Sequence, residues 1–88
     1  MIVRIDKSFE KDTNKIKDSK LLLKVAVCIQ KIQNCNTVKE IKQLKKLTGF
    51  DKHYRIKIGD YRLGIIINGN EVAFERMLHR KEIYKYYP

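Results

Sequence analysis

The stretch HYRIKIGDYRLGIII, residues 53–67, constrains the fold more than any other part of the chain. Apolar and cationic residues alternate on both sides of Gly59-Asp60, which is the period of a strand with one buried face. A Gly-Asp pair between two such runs reads as a two-residue hairpin turn. The turn then dictates the register. Ile58 faces Tyr61, Lys57 faces Arg62, Ile56 faces Leu63, Arg55 faces Gly64 and Tyr54 faces Ile65. Facing residues point to the same side of a sheet. Tyr54, Ile56, Ile58, Tyr61, Leu63, Ile65 and Ile67 therefore form a core face, and His53, Arg55, Lys57, Arg62 and Gly64 form the other.

Like charges placed directly opposite each other destabilise a sheet. Lys57 and Arg62 oppose each other, with Arg55 one step away, so three cations share a patch about 5–8 Å across. An anion among them relieves that repulsion. Gly64 weakens its strand but leaves room for a backbone or sugar to approach. The arrangement suits a phosphate held on a rigid sheet. The plainer reading is a solvated face whose lysines discourage edge-to-edge pairing.

The rest of the chain supplies what covers the core face. Residues 2–6 alternate as a short strand. Ser8 is placed to cap a lysine-rich helix over 9–18, with Asp12 in its first turn. A stronger helix spans 19–34, where Leu22, Val25, Ile29 and Ile32 make an apolar stripe with Leu21 and Cys28 beside it. Thr37 and Glu40 read as a capping box opening a short third helix with Val38, Ile41 and Leu44. Residues 71–78 form another strand after Asn68-Gly69-Asn70. With Gly69-Asn70 as its turn, Val72 meets Ile67 and Phe74 meets Ile65, while Ala73, Glu75, Met77 and His79 project to the cationic face. That register leaves Arg76 on the core side, which a bulge or a snorkelling side chain resolves. The expected architecture is α+β, a small single domain over 1–88: β-α-α-β-β-β with a short tail helix, the helical hairpin packed on one face of a curved antiparallel sheet.

Bulk properties narrow the function. Twenty Lys and Arg against ten Asp and Glu give a net charge of +10, which attracts polyanions without naming one. No apolar run approaches the roughly 18 residues of a membrane span. The start, MIVRIDKSFE, has no signal-peptide core, so a cytoplasmic location is expected. Cys28 and Cys35 lie outside any zinc-finger spacing, and no metal or cofactor is expected. His79 and Arg80 follow the last strand, and Tyr84, Tyr86 and Tyr87 are either packing aromatics or platforms for bases.

YRIKIGDYRLGI (54–65) followed by a hydrophobic strand and LHRKEIY (78–84) resembles the RelE/ParE superfamily of bacterial and archaeal toxins, over nearly the whole chain. The HRKEIY tail is similar to the RelE branch, whose members cut messenger RNA, usually at the ribosome. The ParE branch shares the fold and inhibits DNA gyrase. A toxin homologue that only binds its antitoxin is a third possibility.

The resemblance implies a site of Arg55, Lys57, Arg62, Arg80 and Tyr84, with His79 at a position where some members carry lysine. It implies metal-independent attack of the RNA 2′-OH on the adjacent phosphorus. Lys57 accepts the 2′-OH proton or stabilises charge, and Arg62 holds the phosphorane oxygens. Arg80 or His79 serves the leaving 5′-oxygen, and Tyr84 stacks a base. His53, Tyr86 and Tyr87 are expected to contact RNA. The resemblance further implies a cognate antitoxin, with messenger RNA and the ribosome as the other partners.

Overall fold

The computed structural model describes residues 1–88. In chain order the elements are β1 (Ile2–Ile5), α1 (Lys7–Asn14), α2 (Ser19–Asn34), a 3-10 turn at Val38–Glu40, β2 (Leu44–Lys46), β3 (His53–Ile58), β4 (Tyr61–Asn68), β5 (Glu71–His79) and α3 (Ile83–Tyr86). They build one five-stranded sheet in the order β1-β5-β4-β3-β2. No helix is long and apolar enough to cross a membrane.

The β3–β4 hairpin has the register its alternation predicts, from Tyr54 opposite Ile65 to Ile58 opposite Tyr61. The core forms on the expected face. Ile56, Leu63, Ile65, Val72 and Phe74 of the sheet pack with Val25 and Ile32 of α2. The second helix runs over the predicted residues, and the Asp18 carboxylate accepts from the Lys20 and Leu21 N–H groups at 3.1 Å each. Phe9 of α1 meets Phe74 edge to face at 5.4 Å.

Four features depart from the sequence reading. The sheet is mixed, because β1 pairs with β5 in parallel. The meander of β3, β4 and β5 leaves the outer edge of β5 open. Running alongside it, β1 satisfies that edge and delivers Asp6 directly to the start of α1. The first helix consequently starts at Lys7, with Asp6 in the N-cap position but its carboxylate making no cap hydrogen bond, and the Ser8 hydroxyl donates to the Glu75 carbonyl.

The third helix is only one 3-10 turn. Glu40 does accept from the Asn36 and Thr37 N–H groups, at 2.7 and 2.8 Å. Gln43 at φ +60° then breaks the helical path. Leu44–Lys46 covers the edge of β3 as an unpredicted strand.

The fourth departure is in where β5 points its side chains, and it comes from a bulge, one of the two resolutions expected for Arg76. Ile65 pairs with Phe74, but Gly64 pairs with Arg76, so Glu75 is the extra residue. A one-residue shift flips every following side chain. Met77 therefore enters the core at 2% exposure, and His79 comes opposite Tyr61 on the helix side of the sheet. Their expected projection onto the cationic face is overturned. Asp12 of α1 holds the bulge, accepting from Arg76 Nε at 2.7 Å, Arg76 Nη2 at 3.2 Å and the Met77 N–H at 2.9 Å. That carboxylate raises the Arg76 guanidinium further above its already high range, against a smaller opposing effect of burial.

Candidate functional site

The cationic face is built from two rows across the sheet. In one, Lys57 lies opposite Arg62, and Arg62 opposite Leu78. In the other, Lys45 lies opposite Arg55, and Arg55 opposite Gly64. Lys45 belongs to this face, and the sequence reading missed it. The signal was the alternation of residues 44–46 with Leu44 on the core side, hidden by the helical reading of that stretch.

Arg62 is held by its own hairpin. Its Nη1 donates to the Gly59 carbonyl at 2.9 Å and the Tyr61 carbonyl at 3.0 Å, which fixes the guanidinium and leaves Nε and Nη2 for a ligand. Arg80 docks on the same turn. Its N–H donates to the Asp60 carbonyl at 2.7 Å, and its Nε stands 3.7 Å from the Asp60 carboxylate. A single two-residue turn thus positions arginines that are 18 residues apart in sequence (80 − 62). Lys57 is exposed and forms no ion pair, while its N–H donates to the Gln43 carbonyl at 3.2 Å.

Arg55 is half-buried. Its Nη1 lies 3.4 Å from the Gln43 carbonyl, and its Nε is buried without a hydrogen-bond partner. A guanidinium N–H left unpaired inside a protein costs free energy.

The tail closes one side of this face. Ile83 and Tyr87, one helical turn apart, are buried with Leu47 against the half-buried Leu78. The Tyr87 hydroxyl donates to the Ile65 carbonyl, and its ring covers Gly64 so closely that a Cβ there would stand 2.7 Å from Tyr87 Cγ. Burial pushes the Tyr87 phenol well above its usual range. Tyr87 is therefore a structural pin, and its expected role as a base platform is overturned. Tyr84 and Tyr86 are exposed, at 64% and 60%.

His53 is half-buried between Phe50 and Tyr87, at ring distances of 5.3 and 5.7 Å. It packs under the tail. His79 stacks edge to face on Tyr61 at 5.5 Å, and its Nδ1 accepts from the Lys81 N–H at 3.2 Å. The site thus gathers Arg55, Lys57, Arg62 and Arg80 about one hairpin end, with Lys45 added and His79 turned to the opposite side.

Known proteins share both the sequence and the shape. The chain is 38% identical over 89 residues to Toxin RelE3 of Methanocaldococcus jannaschii, covering all of both chains. It belongs to the RelE toxin family. No family model matches it. The toxin-family chain superposes on the RelB–RelE antitoxin–toxin complex from Methanococcus jannaschii with a TM-score of 0.82 and 35% identity, covering 97% of this chain and 99% of that one. The RelBE2 toxin–antitoxin complex from Mycobacterium tuberculosis matches with a TM-score of 0.68 over 90% of both chains. At 21% identity that second likeness speaks for the RelE-like fold alone.

Proposed function

We propose that this RelE-family toxin is a metal-independent endoribonuclease that cuts messenger RNA at the ribosome. The observation that carries the reading is the convergence of Arg62 and Arg80 on the Gly59–Asp60 turn, beside a facing and unpaired Lys57. Such a cluster is preorganised for a dianionic phosphorane, since its cations are held by the sheet before substrate arrives. In the reaction the RNA 2′-oxygen bonds to the adjacent phosphorus and the bond from phosphorus to the 5′-oxygen breaks. The 2′-OH proton passes to water while the Lys57 ammonium stabilises the developing charge, and the departing 5′-oxygen takes a proton from water beside Arg80. The products are a 2′,3′-cyclic phosphate and a 5′-hydroxyl. Arg62 supports the equatorial oxygens through Nε and Nη2, and Tyr84, exposed on the tail helix, stacks a flanking base. The turned-away position of His79 favours Arg80 on the leaving-group side. A RelB-type antitoxin is the proposed partner, by likeness to the complexes above, and the cytoplasm the proposed location.

Arg62→Ala and Arg80→Ala test the reading. Each is expected to lower cleavage by a factor of about 10²–10³, as loss of one oxyanion-type donor does, with an unchanged circular dichroism spectrum. Full cleavage of RNA and undiminished growth arrest by both variants would refute it.

A further inference from the structure

The bulge that turns His79 away from the cationic face brings it to the wall of a separate cavity. This cavity holds about 390 Å³ on the helix side of the sheet, between the end of α1, the last residues of β5 and the tail. Its volume lies within the range of small-ligand sites. Neither its rings nor its charges take part in the chemistry proposed above.

Aromatic rings form two of its walls. Tyr61 and His79 meet edge to face at 5.5 Å, and Tyr86, 60% exposed, offers its ring from the tail. Because His79 Nδ1 accepts from the Lys81 N–H, the neutral imidazole carries its proton on Nε2 and can donate from there. Rings set around a cavity in this way take a flat aromatic ligand by stacking.

Two full charges of opposite sign border the same space, and neither forms an ion pair. Lys15 stands at the end of α1, its backbone N–H bonded to the Asp12 carbonyl. Glu82 precedes the tail helix, its backbone N–H bonded to the His79 carbonyl. Arg76 adds a third polar group. Asp12 holds it through Nε and Nη2, which leaves Nη1 for a ligand. A ligand that satisfies the whole set is flat, turns N–H donors to a carboxylate and carries an anion for Lys15 and Arg76. Among the RNA bases, guanine alone places two donors side by side, N1–H and the 2-amino group, and one carboxylate accepts both. Adenine turns its N1 acceptor to the same oxygens, cytosine its N3, and uracil two carbonyls.

We propose that this cavity is a binding site for a guanine nucleotide. Glu82 accepts from N1–H and the 2-amino group, the base stacks against Tyr86 and the Tyr61–His79 pair, and Lys15 with Arg76 takes the phosphate. The same contacts recognise a free mononucleotide and a guanosine within an RNA strand. The site does not rest on the nuclease reading.

Calorimetric titration of the full-length protein with GMP, AMP and guanosine tests it. GMP is expected to bind with a Kd of about 1 mM or tighter, and about tenfold more tightly than AMP. AMP controls for general attraction of phosphate to the cationic face. Glu82→Gln should bring the two nucleotides within twofold of each other. Lys15→Ala, at an exposed position, should weaken GMP and leave guanosine unchanged. Tyr86→Ala, also exposed, should weaken both, and it keeps the test open if Glu82→Gln disturbs the tail. The proposal fails if GMP binds more weakly than stated, if AMP matches it in the parent protein, or if Glu82→Gln and Tyr86→Ala both bind like the parent. Equal losses of GMP and guanosine in Lys15→Ala overturn the phosphate contact. A labelled 2′-O-methyl RNA hexamer, which has no 2′-OH to attack, separates the two sources. Displacement by GMP of a hexamer containing guanosine, but not of its adenosine counterpart, assigns the site to the strand. GMP binding without that displacement assigns it to the free nucleotide. No readout involves cleavage, so an inactive parent protein refutes the nuclease reading and leaves the nucleotide site standing.

Discussion

Replacing Gly64 by alanine puts the tail pin under a defined load. The new Cβ would lie 2.7 Å from Tyr87 Cγ and 2.8 Å from both Cδ atoms. Carbon atoms rest about 3.5–4.0 Å apart, so the ring must retreat by roughly 1 Å. It has little freedom to do so, being tied to the Ile65 carbonyl and packed with Ile83 and Leu47. Overpacking of this kind costs roughly 1–3 kcal/mol. Against it stands the gain of roughly 0.5–1 kcal/mol for removing a glycine from a strand interior. The expected net loss is about 1–2 kcal/mol, which shifts a urea midpoint down by about 1 M for a small protein. The same substitution in a Tyr87→Ala background should change sign and stabilise by roughly 0.5–1 kcal/mol. A Gly64→Ala midpoint equal to or above that of the parent would show that the ring does not constrain this strand.

Asp12→Ala removes the acceptor for Arg76 and the Met77 N–H. Because Arg76 is partly exposed and rehydrates, the cost should sit near the low end of the range for a broken buried pair, about 3 kcal/mol by urea unfolding. Lys45→Ala should weaken RNA binding evenly across sequences and reduce the slope of log affinity against log salt by about 1, measured by anisotropy from low to high salt. Tyr87 contributes a pH dependence of known sign. Its phenol is raised in the fold, so the associated stability is complete below the ordinary phenol value of about 10 and declines as pH climbs past it. Tyr87→Phe should flatten that alkaline decline in a series of thermal melts.

The hairpin and the second helix were legible because each obeys a single local rule. A two-residue turn allows one register, and a 3-4 apolar stripe allows one buried face. Arg55, Lys57 and Arg62 therefore fall on one side as expected. What escaped depends on distant partners. A bulge was one expected remedy for Arg76, but its place at Glu75 is fixed by Asp12, more than 60 residues earlier, and so is the direction in which Met77 and His79 point. The β2 strand exists because β3 needed an edge partner, while its residues also suit a helix. Tyr87 looked like its neighbours Tyr84 and Tyr86, and only the notch at Gly64 distinguishes it.

The surplus residue at position 75 has a further bearing on how this molecule can be altered. It sets the phase of everything downstream, so the aim of Arg80 depends on a length rather than on an identity. Shortening the strand by that one position should send the terminal arginine toward the helices, even with every functional side chain still present. Chimeras that borrow a tail from a relative will work only when the donor segment preserves the count.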